Sequence, residues 1–446
     1  MGNAVAGPAW PIAEKLCQGR ALSVAELECL VRHRTPELAE YLADAARAAC
    51  EAVYGDALFA RGLIEISNFC RNDCYYCGIR RGNRSVVRYR LSPEEVLACA
   101  DEGWRAGFRT FVLQGGEDPA LTDERLCAVV AALKAAHPDC AVTLSVGERS
   151  PESYRRLRAA GADRYLLRHE TATASHYRQL HPRPLTLEAR MACLQALREA
   201  GFAVGAGFMV GSPGQTVAHL AADLAFVQRF RPEMCGIGPF VPHHATPFAA
   251  QPAGSVELTC YLLSIIRLMN PAVLLPATTA LEALDPEGRG RAVRAGANVV
   301  MPNLSPPAVQ GSYQLYDNKP AGGEAAQQLW DALAQKARGW GKLLVEDRGD
   351  PAAVPVGGAA LVGAPVPAAA PALADVPVPA DAPASAAAPA PVGGSASAST
   401  GAAASAPPDE PVPAAVPAVS AAPAAAALAS AGPSSPDSIS PYPKEA

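Results

Sequence analysis

Gly62-Leu63-Ile64-Glu65-Ile66-Ser67-Asn68-Phe69-Cys70-Arg71-Asn72-Asp73-Cys74-Tyr75-Tyr76-Cys77-Gly78 decides how this chain is read. A short apolar run ends in a polar turn, and three cysteines follow in the spacing C-x3-C-x2-C. The run is of strand length and bounded by glycine, so it predicts a buried strand with the cysteines just beyond its C-terminal end. Three thiolates on one loop can hold three irons of a cubane cluster and leave the fourth iron open for chemistry. A closed zinc site would need a fourth ligand. The chain offers a single C-x2-C pair, Cys74 and Cys77, and the nearest histidines in sequence are His33 and His137.

Outward from this loop, apolar strand candidates alternate with amphipathic helix patterns. The strands are 63–66, 110–113, 141–145, 164–167, 203–208, 234–238, 272–275 and 298–301. The helices are 92–107, 122–136, 151–160, 186–200, 216–230 and 256–269, with a shorter one near 286–295. Ser92-Pro93-Glu94-Glu95 combines a cap, a proline at the first helical position and first-turn acids. Eight such units imply right-handed parallel crossovers and predict an α/β fold, a (β/α)8 TIM barrel. A doubly wound open sheet is the competing arrangement. Either fold binds ligands beyond the C-terminal strand ends, where the polar motifs of this chain fall.

Three segments are expected: helices over 1–55 packing on the barrel, the barrel over 56–345, and a low-complexity tail over 346–446. From about Pro351 onward the chain is almost entirely Ala, Pro, Val, Gly and Ser. Such a segment cannot bury enough apolar surface to offset its ordering entropy, and reads as a disordered linker. The net charge of −5 comes without blocks of like charge, which argues against a nucleic-acid partner. No run approaches a membrane span and the first residues lack a signal-peptide pattern, so a cytoplasmic protein is expected. The nine cysteines outside the loop read as buried free thiols.

C-x3-C-x2-C after the first barrel strand resembles the signature of the radical SAM superfamily, including the aromatic Tyr76 before the last cysteine. Gln114-Gly115-Gly116-Glu117-Asp118 resembles that superfamily's GGE-type motif. Arg168-His169-Glu170 closes the fourth strand, and alternation puts Arg168 and Glu170 on one side with His169 opposite. His243 and His244, in a proline-braced loop, read as loop structure rather than metal ligands. Longer stretches are similar to the HydE family of [FeFe]-hydrogenase maturases. They include Tyr165-Leu166-Leu167-Arg168-His169-Glu170-Thr171-Ala172, Leu180-His181-Pro182, Phe208-Met209-Val210-Gly211 and Met301-Pro302-Asn303.

The resemblance implies a [4Fe-4S] cluster on Cys70, Cys74 and Cys77 that reductively cleaves S-adenosylmethionine (SAM) to a 5′-deoxyadenosyl radical. Gln114, Glu170, Arg190 and Tyr313 would contact SAM. Thr143, Arg168, Thr278, Thr279, Met301 and Tyr316 would line a substrate cavity. The implied substrate is a cysteine-bound Fe(CO)2(CN) complex made by HydG, on the way to the H-cluster diiron subsite and the scaffold HydF. A ferredoxin or flavodoxin would supply electrons. Some family members carry a second cluster on cysteines after the Tyr-Gln-Leu-Tyr run. Here Tyr313-Gln314-Leu315-Tyr316 is followed by no cysteine, so one cluster is expected. Alternatives are a methylornithine synthase-like mutase, a biotin synthase-like sulfur inserter, for which an auxiliary cluster set is lacking, and a non-catalytic iron–sulfur carrier.

Overall fold

The computed structural model describes residues 7–320 and 322–352. The strands are β1 (Ala57–Ala60), β2 (Gly62–Ser67), β3 (Thr110–Gly115), β4 (Ala141–Ser145), β5 (Arg164–Leu166), β6 (Ala203–Ala206), β7 (Met209–Val210), β8 (Met234–Cys235), β9 (Gly238–Pro239), β10 (Val299–Val300) and β11 (Leu343–Val345). One parallel sheet runs β2-β3-β4-β5-β6-β8. Single parallel bridges carry it round: Met234 to Leu274, Pro276 to Val299, and Asn303 to Leu63. The sheet therefore closes into eight staves, a (β/α)8 barrel rather than an open doubly wound sheet. The 272–275 segment is too short to form a ladder and contributes only bridges.

The outer helices begin where the caps predict. Ser92 accepts from the Glu95 amide and Glu95 reaches back to the Ser92 amide, starting Pro93–Ala106. Thr122, Ser150 and Thr186 cap Asp123–Ala136, Pro151–Ala159 and Leu187–Glu199 through the side-chain oxygen alone. The helices Val24–Arg32 and Pro36–Tyr54 pack on the barrel's outer helices. Gln228 exchanges two hydrogen bonds with the Leu22 backbone, and the Tyr261 hydroxyl donates to Leu30 O. Trp10–Cys17 falls within the helical segment expected at the start of the chain, while helices at Ala174–Leu180, Thr279–Leu284 and Ala326–Gly339 and strands β1 and β11 add to the sequence expectation. No helix among the described residues is long and apolar enough to cross a membrane.

The barrel's N-terminal face is closed by chain that the sequence assigns to the tail. Thr110 Oγ1 donates to Arg348 O at 2.7 Å, and Arg164 donates to Asp350 Oδ1 at 2.6 Å and to Arg348 O at 2.8 Å. The boundary expected after 345 thus lies too early. Arg164 is buried, and its guanidinium recruits the segment as its counter-charge. The expectation of an unstructured Ala/Pro tail otherwise falls on 353–446, outside the described residues.

Candidate active site

All six residues of β2 are buried, and the strand delivers Phe69 and Cys70 to the barrel mouth. The cysteine loop is held from three sides. The Arg71 amide donates to Glu117 O at 2.9 Å, the Tyr75 amide to Leu180 O at 3.0 Å and the Gly78 amide to Leu315 O at 2.8 Å. Gly116 is required here. A Cβ on it would sit 2.3 Å from Phe69 O and 2.8 Å from Cys70 Cβ, so this glycine lets β3 approach the cysteine loop.

Each of the three cysteines keeps part of its surface accessible. Burial pushes all three up, Cys77 to about 12, and Cys74 rises further through Cys77 and Cys70. Thiolate is the ligand form, so the loop favours a multiply charged cationic partner. The three sulfurs are not all within 4.8 Å of one another. A single tetrahedral zinc at about 2.3 Å per bond would draw them to about 3.8 Å. That separation is wider than one zinc ion would set.

Opposite the thiols stand Glu170, Arg190 and Tyr313. Glu170 and Arg190 act electrostatically on Cys74, and Cys77 acts on Tyr313. Gln114 Nε2 donates to the Tyr313 hydroxyl at 3.4 Å. Arg190 is oriented by Glu148 Oε1 at 2.5 Å and Arg168 O at 2.7 Å. Arg168 and Glu170 do face one another, but not by strand alternation. β5 ends at Leu166, and Glu170 adopts a left-handed backbone at φ 64°. A non-glycine residue held there is strained, a condition that concentrates at functional sites. Arg168 Nη2 and Glu170 Oε2 lie 3.0 Å apart, too poorly aligned for a hydrogen bond. The two atoms are held by each other's charge alone; neither they, nor Arg168 Nε, nor Thr278 Oγ1 has a hydrogen-bonding partner. Unmet polar atoms in a barrel mouth fit a polar ligand.

Thr279 shares a hydrogen bond of 2.5 Å with the Tyr316 hydroxyl, and Arg168 acts electrostatically on Tyr316. Thr143 and Met301 are not at the mouth. Thr143, its Oγ1 unpartnered, lines an inner cavity with Arg61, Arg164, Met234 and Leu274. Met301 packs against Phe59, Met234, Leu274 and Val299. The predicted residues therefore occupy two levels, mouth and barrel interior. A separate cleft of about 510 Å³, lined by Arg71, Glu117, Asp123, Glu148, Arg149 and Cys193 among others, lies between the loops after β3 and β4. Of the cysteine loop it touches only Arg71, so it is not the mouth.

Tyr76 is placed by His181. The His181 Nδ1 faces Tyr177 O at 3.0 Å and so carries the proton, leaving Nε2 to accept from the Tyr76 hydroxyl at 3.1 Å. Burial lowers His181 to about 3, which keeps the ring neutral. His169 is fully buried, with Nδ1 accepting from the Gly207 amide at 3.3 Å. Among the described residues, His243, His244 and Asp317 form the only carboxylate, imidazole or thiol trio within 4.8 Å. The trio closes its own bonds: the Ala245 amide donates to His243 Nδ1, and Asp317 pairs with His244 Nδ1 at 2.8 Å. It latches the segment after Tyr316 onto the Pro242 loop.

Sequence reasoning missed Lys319. Its ammonium pairs with buried Glu65, donates to Tyr313 O at 2.8 Å and lies 4.8 Å over the Tyr313 ring. The available signal was Glu65 itself. A carboxylate inside an apolar strand needs a cation, and Lys319 supplies it from the far end of the barrel sequence.

The fold and the thiol loop define an enzyme of the radical SAM class, and the Radical SAM superfamily matches residues 64–227. The [FeFe] hydrogenase maturase subunit HydE of Thermotoga maritima is 44% identical over 265 residues, covering 59% of this chain and 75% of that protein. The chain belongs to the radical SAM superfamily and, within it, to the HydE family. The 3-methylornithine synthase of Methanosarcina barkeri is 27% identical, over 69% of this chain and 86% of that enzyme. Two solved structures share the fold. Methylornithine synthase (PylB) has a TM-score of 0.66 at 24% identity, covering 75% of this chain and 97% of its own. The maturase HydG from Carboxydothermus hydrogenoformans has 0.61 at 22%, covering 74% and 78%. Membership in the superfamily implies a [4Fe-4S] cluster and SAM, which the spread thiols and the unmet polar atoms opposite them fit.

Proposed function

We propose that this chain is an [FeFe]-hydrogenase maturase that turns a SAM-derived radical on a cysteine-bound Fe(CO)2(CN) precursor of the H-cluster diiron subsite. The observation that carries the chemistry is three thiols on one loop facing a mouth where Arg168 and Glu170 pair only with each other and make no further hydrogen bond. The 44% identity to HydE supports the pathway.

Cys70, Cys74 and Cys77 hold the single cluster. When bound, it supplies the electron that cleaves the SAM sulfonium to a 5′-deoxyadenosyl radical. Gln114, Glu170, Arg190 and Tyr313 orient SAM, with Glu170 Oε2, which faces only Arg168 and makes no hydrogen bond, able to accept from ribose hydroxyls or an ammonium. Arg168 clamps the anionic end of the substrate. Thr278, Thr279 and Tyr316 would meet the substrate, with Thr143 and Met301 deeper in the barrel. Phe59, Met234 and Leu274 pack an apolar cluster on one side of that interior. We assign HydG as supplier, HydF as acceptor and the cytoplasm as compartment, where thiols stay reduced. The N-terminal helices between Trp10 and Tyr54 serve as an outer brace.

The test is anaerobic reconstitution, reduction, and addition of SAM with the HydG product. The expected result is 5′-deoxyadenosine formation that requires Cys70, Cys74 and Cys77 and falls by about a hundredfold in Glu170→Gln. Reconstituted protein that ignores SAM, in both product analysis and the reduced cluster's EPR signal, refutes the enzyme reading. Failure to restore hydrogenase maturation in cells, with SAM cleavage intact, points to the mutase instead.

A further inference from the structure

Residues 70–90 carry six arginines (Arg71, Arg80, Arg81, Arg84, Arg88 and Arg90) and one carboxylate, Asp73, in a chain of net charge −5. Three are consumed internally. Arg80 pairs with Asp73 at 2.6 Å, Arg90 pairs with Asp118 at 2.6 Å, and Arg88 donates to the carbonyls of Asn68, Ile79, Arg80 and Asn83. These bonds fasten the 78–90 segment to the cysteine loop. The Arg81 amide donates to Asn72 O at 2.8 Å, Asn83 Nδ2 to Gly78 O at 2.7 Å and Asn68 Nδ2 to Val87 O at 2.7 Å.

What this rigid cover shows to solvent is selective. Arg81 and Arg84 are exposed and make no side-chain ion pair among the described residues. Arg71 is 59% exposed, its one partner being Glu117. Val87, at 72%, has the greatest exposure among the exposed large hydrophobic side chains. One short segment, fastened to the cysteine loop, thus shows solvent two unpaired cations, Arg81 and Arg84, and an apolar side chain, Val87, the make-up of a protein-docking patch.

We propose that this face docks an acidic one-electron carrier protein and is the entry for the electron the cluster needs. The inference rests on the function proposed above, which consumes one electron per SAM cleaved and needs an outside source. One electron leaves the carrier, which is oxidised, and enters the cluster, which passes from the 2+ to the 1+ state; no bond forms or breaks. The backbone contacts to Asn72 and Gly78, each next to or within two residues of a cysteine ligand, make the path short. A nucleic acid fits less well, since such binding needs about six or more free cations along a backbone.

The experiment uses the reconstituted full chain and reduced flavodoxin as probe, with reduced methyl viologen as a small cationic donor. The variants are Arg81→Glu/Arg84→Glu and Val87→Asp. Stopped-flow reduction by flavodoxin should slow about tenfold or more at low ionic strength, with the difference closing at high salt. Calorimetric affinity for flavodoxin should fall in parallel. Viologen-driven reduction and the melting temperature should stay unchanged. Flavodoxin rates and affinity that ignore the variants overturn the proposal, as does an equal loss with viologen or binding of RNA in place of flavodoxin. If no SAM is cleaved even with viologen, the functional reading fails. Calorimetry of flavodoxin against the chain then still decides the surface.

Discussion

Gly116→Ala tests whether β3 fixes the cysteine loop by close approach. The added methyl would lie 2.3 Å from Phe69 O, 2.8 Å from Cys70 Cβ and 3.0 Å from Phe69 C. Ordinary C···O contact begins near about 3.3 Å, so backbone must retreat by about 1 Å. Phe69 cannot give readily. Its amide donates to Ser67 Oγ at 3.2 Å, and the Arg90 guanidinium lies 3.7 Å over its ring. Relief falls on Cys70, which moves relative to Cys74 and Cys77. Overpacking of this kind costs about 1–3 kcal/mol of stability. Misplacing one ligand of a preorganised set weakens metal binding by about tenfold to a hundredfold. Anaerobic reconstitution at limiting iron, with iron and sulfide quantified per chain, reads the second effect, and thermal melting of the unloaded protein reads the first. Gly311→Ala is the control, since nothing lies within 4 Å of its added methyl. If Gly116→Ala loads and melts like the parent, β3 does not position the loop and the argument fails.

Further outcomes follow from the buried charges. Lys319→Met strands Glu65, whose side chain is 0% exposed, and should cost about 3–5 kcal/mol by denaturant unfolding; adding Glu65→Gln should recover part of it. Asp118 has no exposed side-chain surface and accepts from Arg90, Ser67 and the Ala120 amide. Burial alone would raise its carboxyl, but these bonds override it and hold the group below its usual value. Its stabilisation is therefore fully present above about pH 5 and lost as pH falls through the depressed folded value. Asp118→Asn should cost about 2–3 kcal/mol at neutral pH and flatten the acid limb of a stability-versus-pH series. Truncation after Ala352 should leave melting and turnover intact. Truncation before Glu346 removes the Asp350 partner of Arg164, whose side chain is only 5% exposed, and should cost about 3 kcal/mol. Equal melting of the two truncations would show that the segment does not seal the barrel.

Much of the fold was legible because local rules sufficed. Ser92, Thr122, Ser150 and Thr186 each announce a helix start through a side chain that satisfies an amide three residues on. The β2 run, buried on both faces, reads as a parallel strand for the same local reason. At Arg168-His169-Glu170 alternation names the right neighbours for the wrong reason: the strand has ended, and a left-handed Glu170 bridged to Phe208 brings its carboxylate to Arg168. The tail boundary failed because Arg348 and Asp350 are ordinary linker residues until buried Arg164 gives them a partner.

By itself the sequence determined the three thiols on one loop, the strand before them and the eight-unit alternation, all properties of spacing within a few residues. Tertiary structure decided what separations of hundreds of residues conceal. It closed the staves through single bridges, set Lys319 against Glu65 across 254 positions, and split the predicted cavity residues between mouth and interior. It also fixed the spread of the sulfurs, because the loop's shape is set by Gly116, Leu180 and Leu315, which lie on other elements. Local periodicity encodes which residues form a strand or helix. The placement of charges and ligands depends on long-range contacts, whose partners are specified only by the closed barrel.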